Sequence, residues 1–282
     1  MWVSRGDGSV IAVEDVGEPG AAPVLLCHGL ADSRLSARSF TPVARELGLR
    51  VIAPDRPGTG WTGPRRLRRL ADWAQDAALV LDALQLRSAA LLGISAGGPF
   101  AAACAAVLPG RVRSLTLVSP LGQPGWPTYG MAQGERVSLE VARRAPAFGG
   151  WFLGRLAGLA RSNPRLFIRV ATSELPGADR RAMAQAEISD DFLTSYVEAF
   201  RGGSEGVAQD LRLLTRPWGF RLGAITAPTS IHHGDADTTV PPHHARRYAE
   251  AIPGAQLHVH PGHGHFSILE AAREMLAPLA PR

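Results

Sequence analysis

Three polar residues far apart along the chain, Ser95, Asp237 and His265, are of the types that together activate an alcohol. A serine hydroxyl is a weak nucleophile; it needs a base within hydrogen-bond reach and an acid to orient that base. Ser95 sits in Gly93-Ile94-Ser95-Ala96-Gly97, with an apolar stretch before it and an alanine-rich one after. A strand-to-helix turn this sharp holds its serine at positive φ. Side chains two positions away would collide, so Gly93 and Gly97 flank it and the strain lifts the hydroxyl out of the sheet. Two carboxylates follow a late strand in His233-Gly234-Asp235-Ala236-Asp237, and either could serve as the acid. Asp237 is preferred because a residue beyond the turn can lean toward the histidine, whereas Asp235 beside Gly234 is placed to hold the loop through backbone amides. The loop 119–122 contains no acid. The base is sought in Pro261-Gly262-His263-Gly264-His265, where His265 opens the last helix after a flexible glycine and His263 reads as a surface residue.

Negative charge developing on a substrate oxygen needs two preorganised N–H donors. The Ala96 amide, at the start of the helix after Ser95, is one. The other is expected from Cys27-His28-Gly29-Leu30, where Gly29 lets the backbone approach and the Leu30 amide points inward. His28 is read as a brace for that turn. His258, His260, His263 and His265 lie close in sequence, but no carboxylate or cysteine has ligand spacing beside them, so no metal is expected.

The elements that must position these residues alternate. Strands are predicted at 10–13, 24–27, 51–53, 89–92 and 112–118, with helices at 40–47, 72–86 and 96–107 between them. Strands separated by helices pair in parallel through right-handed crossovers, which predicts an α/β architecture: an open, mostly parallel sheet covered on both faces. Ligands in such sheets bind beyond the carboxyl ends of the strands. From 121 to 222 strand-like alternation disappears and helix-like segments recur between breaks such as Pro146 and Asn163-Pro164. Ser189 before Asp190 and Asp191 reads as a helix N-cap there. The strand and helix pattern returns with strands at 229–232 and 256–260 and helices at 243–251 and 267–276. The expected organisation is therefore a core of residues 1–120 and 223–282 with a helical cap inserted at 121–222.

A chain of 282 residues can bury about three quarters of its unfolded surface and needs no staples. Cys27 and Cys104 fall in a predicted strand and helix and read as buried free thiols, which suits a reducing compartment. The first residues lack a basic region followed by an apolar run, so no secretory signal is expected and a cytoplasmic location is. Residues 88–110 carry no charge and approach bilayer length, but three glycines and a proline break them into strand, turn and helix, so no membrane span is expected. All 30 basic residues are arginine and the net charge is only +5. The densest run, Arg65-Arg66-Leu67-Arg68-Arg69, has no aromatic interleaving and reads as a solvated loop rather than a nucleic-acid site.

With the Gly-x-Ser-x-Gly turn, the early His-Gly turn, the late Asp loop and the final histidine in that order, the chain resembles the capped serine hydrolases of the α/β-hydrolase superfamily. Pro54-Asp55-Arg56-Pro57-Gly58-Thr59-Gly60-Trp61 is similar to that family's loop after the fourth strand, with Thr62 where the family commonly has serine. The resemblance spans about residues 10–120 and 223–275. It implies the α/β-hydrolase fold, Ser95 as nucleophile, Asp237 as acid, His265 as base, and Leu30 with Ala96 as oxyanion donors. It also implies a cofactor-independent reaction on a small-molecule acyl substrate, with a carboxylic ester as the first expectation. Lactone, thioester or carbon-carbon bond hydrolysis uses the same residues, and a receptor-like member would keep them with little turnover. Aromatic residues in the cap and the lack of charged clusters near the expected mouth suggest a mainly apolar substrate.

Overall fold

The apolar runs pair into an eight-stranded sheet in a computed structural model that describes residues 1–280, without the side chains of residues 186 and 187. The strands are β1 (Trp2–Ser4), β2 (Val10–Val16), β3 (Ala22–Cys27), β4 (Leu49–Pro54), β5 (Ala89–Ile94), β6 (Val112–Val118), β7 (Thr229–Gly234) and β8 (Gln256–His260). Their order in space is β1-β2-β4-β3-β5-β6-β7-β8. β2 runs antiparallel to β1 and β4, and every other pairing is parallel. β1 and the antiparallel entry were not predicted: three residues are too few for a periodic signal, and strand direction leaves no mark on composition.

Helices α1 (Thr41–Glu46), α2 (Trp73–Ala83) and α3 (Gly97–Val107) connect the early strands. Between β6 and β7 come α4 (Gln133–Arg144), α5 (Pro146–Ser162), α6 (Pro164–Ala171), α7 (Gly177–Met183), α8 (Ala186–Ala199) and α9 (Glu205–Leu214). α10 (Pro242–Ala251) and α11 (Ala272–Leu276) follow. Along β3 the side chains alternate between two cores, because successive Cβ atoms point to opposite faces. Leu25 and Cys27 pack with Trp73, Phe100 and Tyr248 on one side, while Val24 and Leu26 pack with Phe40, Ile268 and Met275 on the other. Burial on both faces is why these strands read as unbroken apolar runs.

Two local readings differ from the structure. Ser189 lies inside α8, its N–H donating to the Gln185 carbonyl, because the helix is already under way from Ala186. Serine before two acids marks a helix start only when the preceding residues do not themselves favour helix, and Ala186 does. The closing helix is a 3₁₀ turn over Ser267–Ala271 followed by α11. Cys27 and Cys104 are buried free thiols. Among the described residues no helix is long and apolar enough to cross a membrane.

Candidate active site

Ser95 occupies the turn between β5 and α3 with φ of 54°, the left-handed region that costs a non-glycine residue about 1–3 kcal/mol. Its neighbours leave no alternative to glycine. A Cβ on Gly97 would stand 2.0 Å from the Cys27 carbonyl oxygen, and one on Gly93 2.7 Å from the Ala101 Cβ. The Ser95 N–H donates to the Val118 carbonyl at 2.8 Å, and the Ser95 carbonyl accepts from Gly98 and Leu121 at 3.0 and 3.1 Å. The turn is thus tied to the end of β6, and the strain is held by its surroundings.

The Ser95 Oγ lies 3.0 Å from Nε2 of His265, and the Asp237 Oδ2 lies 2.8 Å from Nδ1 of the same ring. Asp237 follows β7, and its Oδ1 accepts the N–H groups of Thr239 and Val240 at 2.9 and 2.8 Å, which fixes the carboxylate within its own loop. His233 adds Nε2 at 3.3 Å from Oδ2 while contacting the Val240 carbonyl at 2.8 Å. Of the rival pair, Asp235 accepts the Gly262 N–H at 2.7 Å, and the His263 ring lies against the Pro261 carbonyl at 3.1 Å. Ser95, Asp237 and His265 meet; Asp235 and His263 do not join them.

Burial opposes ionisation of Asp237, yet the charge of His265 and the hydrogen bonds from His233 and His265 hold its carboxyl well below the usual carboxylate range. For His265 burial disfavours the imidazolium, but the Asp237 carboxylate, with Asp179 and Glu135 beyond it, outweighs that and raises the imidazole above its ordinary value. Glu135, exposed at the start of α4, was not foreseen near the site; it also interacts through space with Asp237 and Glu174.

The two amides expected to receive an oxyanion are oriented from behind. Arg56 donates to the carbonyls of His28 and Gly29 at 2.6 and 2.7 Å, and to the Asp210 carboxylate of α9 at 2.8 Å. In a trans peptide the C=O and the following N–H point opposite ways, so the Leu30 N–H is turned away from Arg56. By the same geometry the Ala96 N–H is turned away from the donors that hold the Ser95 carbonyl. Among the described residues neither amide donates to a protein acceptor. The Gly29 N–H donates to Asp32 at 3.0 Å, and a Cβ on Gly29 would face the Ser95 Cβ at 3.9 Å. His28 joins its turn to the loop after β4, with Nδ1 at 3.1 Å from the Gly29 carbonyl and Nε2 accepting the Arg56 N–H at 3.4 Å. Burial, with Arg56 beside it, holds this ring well below the ordinary imidazole value.

Sequence reasoning missed Arg56, Asp210, Asp32 and Asp179 as parts of this site. Arg56 carried a signal, its place in the Pro-Asp-Arg-Pro-Gly turn; Asp210 and Asp179 come from helices between β6 and β7, whereas Asp32 lies only three residues beyond the Gly29 N–H it accepts. The histidines near the end of the chain bond among themselves, His232 Nδ1 lying 3.0 Å from His260 Nε2 and the His258 ring stacked on His232. Among the described residues no group of three or more His, Cys, Asp or Glu side chains is arranged to hold a metal ion.

A family model described as the alpha/beta hydrolase fold matches residues 22–272. The chain belongs to the alpha/beta hydrolase family. This hydrolase is 31% identical over 254 residues to a proposed carbamate hydrolase, RutD, of Variovorax paradoxus (strain S110), covering 88% of its own length and 87% of the relative's. It is 30% identical over 263 residues to the 2-hydroxymuconate semialdehyde hydrolase of Pseudomonas putida, covering 89% and 83%. Among solved structures, an esterase from Thermogutta terrifontis matches with a TM-score of 0.70 and 25% identity over 100% of this chain and 99% of that one.

Proposed function

We propose that this hydrolase cleaves a carboxylic ester or closely related acyl bond without a cofactor, through an acyl-enzyme on Ser95. His265 Nε2 takes the Ser95 proton as Oγ attacks the acyl carbonyl carbon. The carbonyl oxygen becomes an oxyanion and receives the Leu30 and Ala96 N–H groups, while Asp237 holds the imidazole in the tautomer that accepts at Nε2. His265 then passes the proton to the leaving alcohol. Water, deprotonated by the same imidazole, releases the acid and restores Ser95.

The observation that carries this reading is the continuous line from the Asp237 carboxylate through His265 to the Ser95 hydroxyl, with contacts of 2.8 and 3.0 Å. We favour a mainly apolar acyl group, because aromatic side chains of the helices between β6 and β7 reach the turn that carries the base, Phe192 packing edge-on against Phe266. The inserted helices, residues 121–222, are read as the cap that selects the substrate. The test is labelling by a fluorophosphonate together with multiple turnovers of p-nitrophenyl butyrate, both expected in the wild type and both lost in Ser95→Ala. A wild type that neither labels nor turns over sinks the reading, and labelling with a single burst assigns the chain to the receptor-like class instead.

A further inference from the structure

The proposed reacting side chains all belong to loops of the sheet, yet the segment bearing the base is fastened by a carboxylate from the inserted helices. Asp179 lies in the first turn of α7 and is fully buried. Its Oδ2 accepts the backbone N–H of His265 at 2.8 Å. Its Oδ1 accepts the N–H groups of Phe266 and Ser267 at 3.0 and 2.9 Å and the Ser267 hydroxyl at 2.8 Å. All four donors belong to three consecutive residues that begin with His265. A helix is ordinarily capped by the residue just before it; this 3₁₀ turn takes its acceptor from 86 positions away in the chain. The preceding residue makes room for it, since a Cβ on Gly264 would stand 2.3 Å from the Asp179 Oδ2. A buried carboxylate is costly unless its lone pairs are used, and here they are spent on the backbone of the base.

We propose that Asp179 is a positioning residue of the reaction, holding residues 265–267 so that the His265 imidazole stays in line with Ser95. The inference rests on the assignment of His265 as the base. Its consequence is that the base is in place only while α7 is docked against residues 265–267. The carboxylate also acts through its charge. The groups facing His265 are Asp237 from the loop after β7, itself against His233, Asp179 from α7 and Glu135 from α4, and the three carboxylates favour the imidazolium formed when Ser95 is deprotonated.

Asp179→Asn separates these effects from folding. Its remaining oxygen can keep the three hydrogen bonds from Phe266 and Ser267, while the charge and the bond to the His265 N–H are lost. With p-nitrophenyl butyrate, kcat is expected to fall about tenfold or more with KM changed less than about twofold. The acidic limb of the kcat/KM profile is expected to move to lower pH. Ser267→Ala keeps the charge and the three backbone bonds to Asp179 while losing the hydroxyl that accepts the Gly264 N–H at 2.8 Å, and its acidic limb is expected to stay at the wild-type position. Asp179→Asn with wild-type kcat and limb overturns the proposal, as does a loss of rate that only tracks the unfolded fraction in a thermal melt. Should that variant fail to fold, Gly264→Ala replaces it, since its methyl displaces the carboxylate from the turn. An unchanged kcat there overturns the proposal, and a loss of about tenfold in folded protein supports it. A wild type that fluorophosphonate does not label removes the underlying assignment of Ser95 and His265. A labelled wild type matched by Asp179→Asn at every pH removes the role of Asp179 alone.

Discussion

Asp237→Asn retains the shape of the side chain and an oxygen for the Thr239 and Val240 amides, so the loop keeps its form while the imidazole loses its acceptor. The ring then has no reason to hold the tautomer that accepts at Nε2, and kcat is expected to fall about 10³- to 10⁴-fold in a p-nitrophenyl ester assay. The pH dependence has a definite sign. His265 works as a base only when neutral and its imidazole sits above the ordinary value, so wild-type kcat/KM falls as pH drops through that raised value. Removing the Asp237 charge lowers it, and the residual activity of Asp237→Asn should persist to lower pH than the wild type, which a pH–rate profile reads directly. At this scale the sequence was legible where a residue's place is set by its own turn. Ser95 stands between glycines at a strand end, Asp237 binds the amides two and three residues on, and His265 follows the last strand. Asp179 was not legible, because a carboxylate that accepts from a backbone 86 positions away looks in sequence like any solvated acid; Asp32 accepts locally, from the Gly29 and Ser33 N–H groups, and that turn spacing went unread.

Two glycines on facing elements make the case at the scale of packing. A Cβ on Gly97 would stand 2.0 Å from the Cys27 carbonyl oxygen, so Gly97→Ala must push α3 and the end of β3 apart. A cost of about 3 kcal/mol or more is expected, read as a lowered melting temperature in calorimetry, with labelling of Ser95 lost in step. A Cβ on Gly29 meets only ordinary contacts, the nearest at 3.6 Å. Gly29→Ala should therefore melt close to the wild type but turn over poorly, because its methyl faces Ser95. A large stability loss at Gly29 would show that its role is structural. The strands of the central sheet were legible because burial on both faces leaves unbroken apolar runs, and α3 because small residues must lie against β5. The helix limits between 121 and 222 were blurred, as Ser189 illustrates, because helix-forming residues run straight through the signals that mark a start.

The whole molecule is tied together by buried polar contacts between the sheet loops and the inserted helices. Arg56 and Asp210 are 1% and 2% exposed at the side chain, so Asp210→Ala leaves a buried guanidinium unpaired and should cost about 3–5 kcal/mol in denaturant unfolding. Ser195 of α8 reaches the other side of the site, donating to Asp32 at 2.5 Å, and Asp32 in turn holds the Gly29 N–H at 3.0 Å. Ser195→Ala removes the donor to Asp32 and the acceptor of the Ser33 N–H at 3.1 Å, each worth about 1 kcal/mol, from the turn that presents the Leu30 amide. Its kcat/KM is expected to fall about three- to tenfold. Its acidic limb should not move, because the substitution removes no charge. Asp179 and Ser195 share no hydrogen-bond partner, so their effects on the barrier should add to within about 0.5 kcal/mol, and the double variant should lose activity by the product of the two single losses. A double variant no worse than Asp179→Asn alone would mean that α7 and α8 leave the sheet together once either contact is cut, and that the base and the oxyanion turn are set by one docking event rather than two.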